Sequence, residues 1–133
     1  MVKTTTIKQT IEIQRCTPEQ VYSVLMNTAK HEKMTGSKAK IDPKVGGKFT
    51  AWDGYISGEN VELVPGRKII QKWRTLEWPA DAEDSVFQLE LFKTKTGTKI
   101  VMTHSKVPAD QADNYAQGWT DYYWNPMRAY FKN

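Results

Sequence analysis

The sequence predicts an α+β domain in which one face of an antiparallel sheet is covered by a carboxy-terminal helix. Three observations carry this: a series of short segments joined by tight-turn residues between 38 and 107, a helix-start pattern at TPEQ, and aromatic residues at helical spacing after residue 109.

From Ile7 to Ile13 the residues Ile7, Gln9, Ile11 and Ile13 share one parity and Lys8, Thr10 and Glu12 the other, the period of a half-buried strand. In TPEQVYSVLMN, Thr17 can cap a helix, Pro18 suits its first turn and Gln20 completes a capping-box spacing. Val21, Val24 and Leu25 give that helix its apolar stripe, and AKHEKMTG reads as a second short helix stopped by Gly36. Strand signals follow in KAKID, GGKFTAW, YISGENVELV, KIIQKWRT, VFQLELF and TKIVMTHSKV, with turns at Asp53-Gly54, Pro65-Gly66 and Thr96-Gly97. EWPADAED reads as a polar, acidic surface loop. In VFQLELF, Phe87, Leu89 and Leu91 oppose Gln88 and Glu90, so one side of the sheet is buried and needs a cover. The last segment supplies it: Ala112, Tyr115, Trp119, Tyr122, Tyr123, Met127 and Tyr130 recur at steps of three or four, and Pro126 is expected to kink the rod near its end. Residues 118–131 hold six of the chain's fifteen aromatic side chains.

Nothing in the 133 residues marks a linker or repeat, so residues 1–133 read as a single domain. Cys16 is the only cysteine and fits a buried apolar filler; it excludes an intramolecular disulfide. His31 and His104 stand in no metal-ligand spacing, so no metal or cofactor is expected. The amino terminus lacks an apolar run and no segment approaches the roughly 18 apolar residues of a membrane span; a cytoplasmic protein without a membrane partner is the expectation. The net charge of +4 includes Lys30, Lys33, Lys38, Lys40, Lys44 and Lys48 in one stretch, which favours acidic partners. With four arginines and no basic helix motif, nucleic acid is not expected.

The element order β-α-α-β6-α is that of the helix-grip (START-like) fold. GGKFTAWDGYISGENVELVPGRKIIQKWR at 46–74, with THS at 103–105 and QGWTDYY at 117–123, resembles the family named for the activator of the heat-shock protein 90 (Hsp90) ATPase. The resemblance runs over residues 4–131 and is greatest to the carboxy-terminal domain of that co-chaperone, in DGYISGENVELVP and WRTLEWP. Nothing here corresponds to the co-chaperone's amino-terminal domain. The resemblance implies a non-enzymatic binding module that meets Hsp90 or another protein, with Lys30, Lys33, Lys38, Lys40 and an exposed Trp124–Arg128 pair as the contact surface. Single-domain relatives in the wider superfamily imply an alternative: a small hydrophobic or aromatic ligand between sheet and helix, lined by Phe49, Trp73, Phe87, Leu89, Met102, His104, Trp119 and Tyr123. The four helix tyrosines Tyr115, Tyr122, Tyr123 and Tyr130 also argue for a cavity, because buried hydroxyls need partners. A third reading, a cyclase-type enzyme, would use His104 as acid or base; the simpler reading is a histidine bonded to Ser105, backbone or the helix.

Overall fold

The computed structural model describes residues 3–132. Strand β1 (Thr4–Gln14) leads into helix α1 (Pro18–Met26) and helix α2 (Thr28–Thr35). Strands β2 (Lys40–Ile41), β3 (Lys48–Ala51), β4 (Ile56–Val64), β5 (Lys68–Thr75), β6 (Ser85–Lys93) and β7 (Gly97–Pro108) follow. Helix α3 (Ala112–Trp119), a π-helical turn (Thr120–Trp124) and helix α4 (Asn125–Phe131) complete the chain. The seven strands form one antiparallel sheet in the order β1-β7-β6-β5-β4-β3-β2, so the hairpins stay adjacent and only β1 pairs out of sequence, with β7. This is the α+β helix-grip arrangement, with the terminal helical rod across the concave side.

Local chemistry accounts for the helix limits. The Thr17 side chain accepts from the Gln20 amide while Gln20 Oε1 accepts from the Thr17 amide, the reciprocal capping box. Asn27 ends α1 and caps α2 by accepting from the Lys30 amide, and Gly36 closes α2 in the left-handed region at φ +81°.

Burial follows the predicted parity: Ile7 and Ile13 on β1, Ile69 and Trp73 on β5, Phe87, Leu89 and Leu91 on β6, and Ile100 and Met102 on β7 all face the core. Trp119, Tyr123 and Met127 meet them from the rod. Several expectations change. Trp78, placed in a surface loop, is buried, and Arg74 fastens that loop through the carbonyls of Ala82 and Pro79 and an ion pair with Asp84 at 2.9 Å. Tyr122 leaves the apolar stripe and is 57% exposed. Trp124 reverses its expected role: it is 1% exposed, stacks on Trp119 at 5.7 Å and donates its indole N–H to Gln9 Oε1 at 2.8 Å. No exposed Trp124–Arg128 pair exists; Arg128 donates instead to Asn125 Oδ1.

The glycines of the central motif have two different reasons. Gly46 turns the chain at φ +81°. Gly58 lies where strands approach too closely for any side chain, since a Cβ there would sit 1.9 Å from the Lys72 carbonyl oxygen and 2.6 Å from the Phe49 ring. Gly58→Ala should therefore lower unfolding free energy by at least about 2 kcal/mol in urea titrations; an unchanged midpoint would show that β4 and β5 can separate freely at this point.

Candidate functional site

Two histidines on separate elements tie the rod to the rest of the fold. On β7, His104 Nδ1 lies 3.3 Å from Trp119 Nε1 and Nε2 lies 2.8 Å from Ser85 Oγ. Because an indole N–H only donates, Nδ1 accepts, Nε2 carries the hydrogen, and Ser85 passes its own to the Trp73 carbonyl at 2.7 Å. His31 on α2 takes the opposite tautomer: Nδ1 donates to the Leu25 carbonyl at 3.2 Å and Nε2 accepts from the Tyr123 hydroxyl at 3.1 Å. Burial pushes His104 down to about 3 and holds His31 below its ordinary range. The chain from Trp119 to the Trp73 carbonyl is complete and fully enclosed, so His104 presents no free nitrogen to a substrate.

The hydroxyls of the two buried tyrosines of the rod are satisfied by protein groups, and Tyr122 is exposed. Tyr123 uses His31, and Tyr115 accepts from Trp78 Nε1 at 2.8 Å and lies 2.6 Å from Gln111 Oε1. Among the described residues, no buried side-chain nitrogen or oxygen lacks a partner. The hydroxyl argument for an internal cavity therefore falls away. In the inner part of the space between sheet and rod about 30 Å³ remains, bordered by Phe49, Trp73, Phe87, Trp119 and Tyr123 among others, which is room for one water. Leu89, Met102 and His104 are fully buried and line neither this space nor the rim cleft.

The larger free space is the open end of the same interface, a cleft of about 590 Å³ between the β3–β4 turn, Ile56 of β4, Trp73 of β5, the turn after β5 and the rod from Gln111 to Tyr123, so that Trp73, Trp119 and Tyr123 border both spaces. Trp52, Tyr55, Glu77, Tyr115, Trp119 and Tyr122 stand on its walls. The WDGY turn and Glu77 had drawn no functional reading from the sequence; the aromatic pair flanking an Asp-Gly turn was the available signal. On the exterior, Lys30 and Lys33 of α2, Lys38, Lys40 of β2 and Arg128 of α4 are all exposed, and α2 lies against α4. Lys30 donates to Ser23 Oγ; Lys33, Lys38 and Lys40 form no ion pair among the described residues. Cys16 is buried, with burial pushing its thiol up. No group of three or more metal-ligating side chains is assembled among the described residues, and none of their helices is long and apolar enough to cross a membrane.

Comparison with known proteins adds three findings. The family described as "Activator of Hsp90 ATPase homolog 1-like protein" matches residues 15–132. The human "Activator of 90 kDa heat shock protein ATPase homolog 1" is 31% identical over 98% of this chain, and a Dictyostelium discoideum homologue is 33% identical over 87%. The chain spans 38% and 30% of the lengths of those two relatives. The crystal structure of an HSP90 activator from Plasmodium falciparum superposes with a TM-score of 0.88 at 26% identity, covering 96% of each chain.

The histidine tautomers set a pH dependence. His104 is depressed from 6.5 to about 3 on folding, so between those values the unfolded chain binds the extra proton and stability falls as pH falls. From pH 7 to pH 5, where most carboxylates stay ionised, this residue should remove about 2 kcal/mol of unfolding free energy, measured by urea titration. His104→Phe should be less stable at pH 7 yet lose less on acidification; an identical loss in the variant would assign the effect elsewhere.

Proposed function

The chain belongs to the Activator of Hsp90 ATPase homolog 1-like family, and from that membership we propose that it is a co-chaperone-like binding module that docks on an Hsp90 without performing chemistry of its own. The match over residues 15–132 is the observation that carries this reading. Two features support it. The lysines of α2 and β2 project into solvent without ion-pair partners among the described residues, so an acidic surface can approach without first displacing internal partners. The one buried histidine considered for catalysis is held neutral in a closed hydrogen-bond chain, which disfavours the cyclase reading. A ligand in the inner part of the space between sheet and rod is disfavoured, since that part has room for about one water; the free volume lies at its open end, where Trp73, Trp119 and Tyr123 line the rim cleft.

The contact surface proposed is the basic face of Lys30, Lys33, Lys38 and Lys40, extended by Arg128 on the neighbouring helix; Trp124 contributes by bracing that helix from within. Purified Hsp90 from the same source, titrated at increasing salt, should give saturable binding that weakens as salt rises. Reversing Lys33, Lys38 and Lys40 to Glu together should weaken it about tenfold or more, from a few tenths to one kcal/mol at each exposed site. Lys95→Glu, in the β6–β7 turn, should leave it unchanged. Absence of binding at low salt, or full affinity in the triple variant, would refute this surface.

A further inference from the structure

The rim cleft is a second feature, independent of the basic face. Its volume of about 590 Å³ falls in the range of small-molecule sites, and it reaches inward to Ile56, Trp73 and Tyr123, beyond which only about 30 Å³ remains free. Its walls are aromatic, yet the exposed Glu77 is the one charged side chain that borders it in a protein of net charge +4. Glu77 is positioned rather than free: the Tyr55 hydroxyl donates to Oε1, the Tyr115 hydroxyl lies 3.3 Å from the same oxygen, and Oε2 has no partner among the described residues. Across from it, Trp52 and Tyr122 meet edge to face at 5.5 Å.

The backbone also departs from regular geometry on both sides of the cleft. Trp52, Asp53 and Gly54 are successively left-handed, at φ +52°, +57° and +91°. Gly and Asp tolerate that region, whereas a bulky tryptophan there is an outlier that the surrounding structure must hold. Trp52 is half-buried at the cleft wall, packed against the edge of the core beside Tyr123. Opposite, the π-helical turn carries Tyr122 outward to the cleft. Gly118 leaves space beneath it, since a Cβ there would meet nothing within 4 Å except Tyr122 Cδ2 at 3.8 Å.

We propose that this cleft is a binding site for a small organic cation, an amine or quaternary ammonium on an apolar body. Ring faces of tryptophan and tyrosine carry negative electrostatic potential and attract a cation within about 6 Å, and a carboxylate with an unpartnered oxygen adds direct charge pairing. The same carboxylate repels an anion, and a neutral aromatic molecule gains only the stacking. Charge sign is thus the selective element. The lysine-rich face used for docking lies on other elements, so the two sites are separable.

The experiment uses the full chain, ¹⁵N-labelled, titrated at constant ionic strength with benzyltrimethylammonium, with phenylacetate and benzyl alcohol as the anionic and neutral comparators. The cation should shift the Trp52 indole and the Gly118 amide saturably, phenylacetate should not, and benzyl alcohol should bind more weakly than the cation. Glu77→Gln should weaken cation binding about tenfold, and Gly118→Met should abolish it while leaving the melting temperature at or above that of the parent. Equal binding of phenylacetate, undiminished binding in Glu77→Gln, or cation-induced shifts confined to residues outside the cleft would overturn the proposal. So would a lysine-bearing peptide that shifts the cleft signals at lower concentration than the small cation, which would make the site a peptide site.

Discussion

The concave face of the sheet has to be covered, and Trp119 is the side chain through which the cover is attached. Its ring lies flat on Phe87 with centroids 4.6 Å apart and planes 10° from parallel, while its N–H enters His104. Burying an aromatic side chain contributes on the order of 2–3 kcal/mol. The hydrogen bond adds direction, because only one rotation of the rod lets the indole N–H meet Nδ1. Once that rotation is set, Tyr115 falls against Trp73 and Trp78, Tyr123 falls against His31, and Met127 closes the far end. The two histidines then join β7 and α2 to the same rod from different sides.

The inner part of this interface leaves little space, and the free volume opens at one end of it. A helix-grip sheet can enclose a cavity only if the rod's inward residues are small enough to leave one. Here Trp119, Tyr123 and Met127 fill its inner part and Tyr115, Trp119 and Tyr123 border the cleft at its open end, with their polar atoms paired to Gln111, His104 and His31. The outer surface divides by charge: lysines on α2 and β2, and a carboxylate among aromatic rings at the rim. Opposite charge preferences on separate elements allow a protein contact and a small-molecule contact without competition for the same groups.

Most of the elements were legible because each rests on local rules. The capping box at Thr17, the stop at Gly36, and the alternation of β1, β5 and β6 need only neighbours in sequence. What escaped depends on distant partners. Trp124 looked exposed because it lies off the apolar stripe, but Gln9 on β1 provides an acceptor for its N–H, which makes burial favourable. Trp78 sits in an acidic loop, yet Tyr115 accepts its N–H and Arg74 holds the loop over it. Asn60, in the GEN of the central motif, is buried and binds the carbonyls of Asp42 and Lys44 while accepting from Gln71. No spacing pattern announces such a residue. The cleft was legible only in part: Trp73, Trp119 and Tyr123, expected to line a space between sheet and helix, do border it, whereas Trp52, Tyr55 and Glu77 reach it from turns that meet the rod only in three dimensions.

The π-helical turn follows from the spacing of the buried residues themselves. From Ala112 through Tyr115, Trp119 and Tyr123 to Met127 is fifteen residue steps in four turns, whereas a regular helix of 3.6 residues per turn would rotate the last about 60° away from the first. A wider turn holds more residues and takes up that rotation. Its position is set by Pro126, which has no N–H for the Tyr122 carbonyl and whose ring would crowd that oxygen in a regular helix. The Asn125 amide bonds to Thr120, five residues back, and the chain widens where the regular ladder is already broken. The expected kink is thereby realised as a change of pitch one turn earlier. Tyr123 and Met127 stay inward because of it, and Tyr122 turns out to the rim. One proline thus serves two ends: it keeps the core stripe in register and it places an aromatic ring on the wall of the cleft.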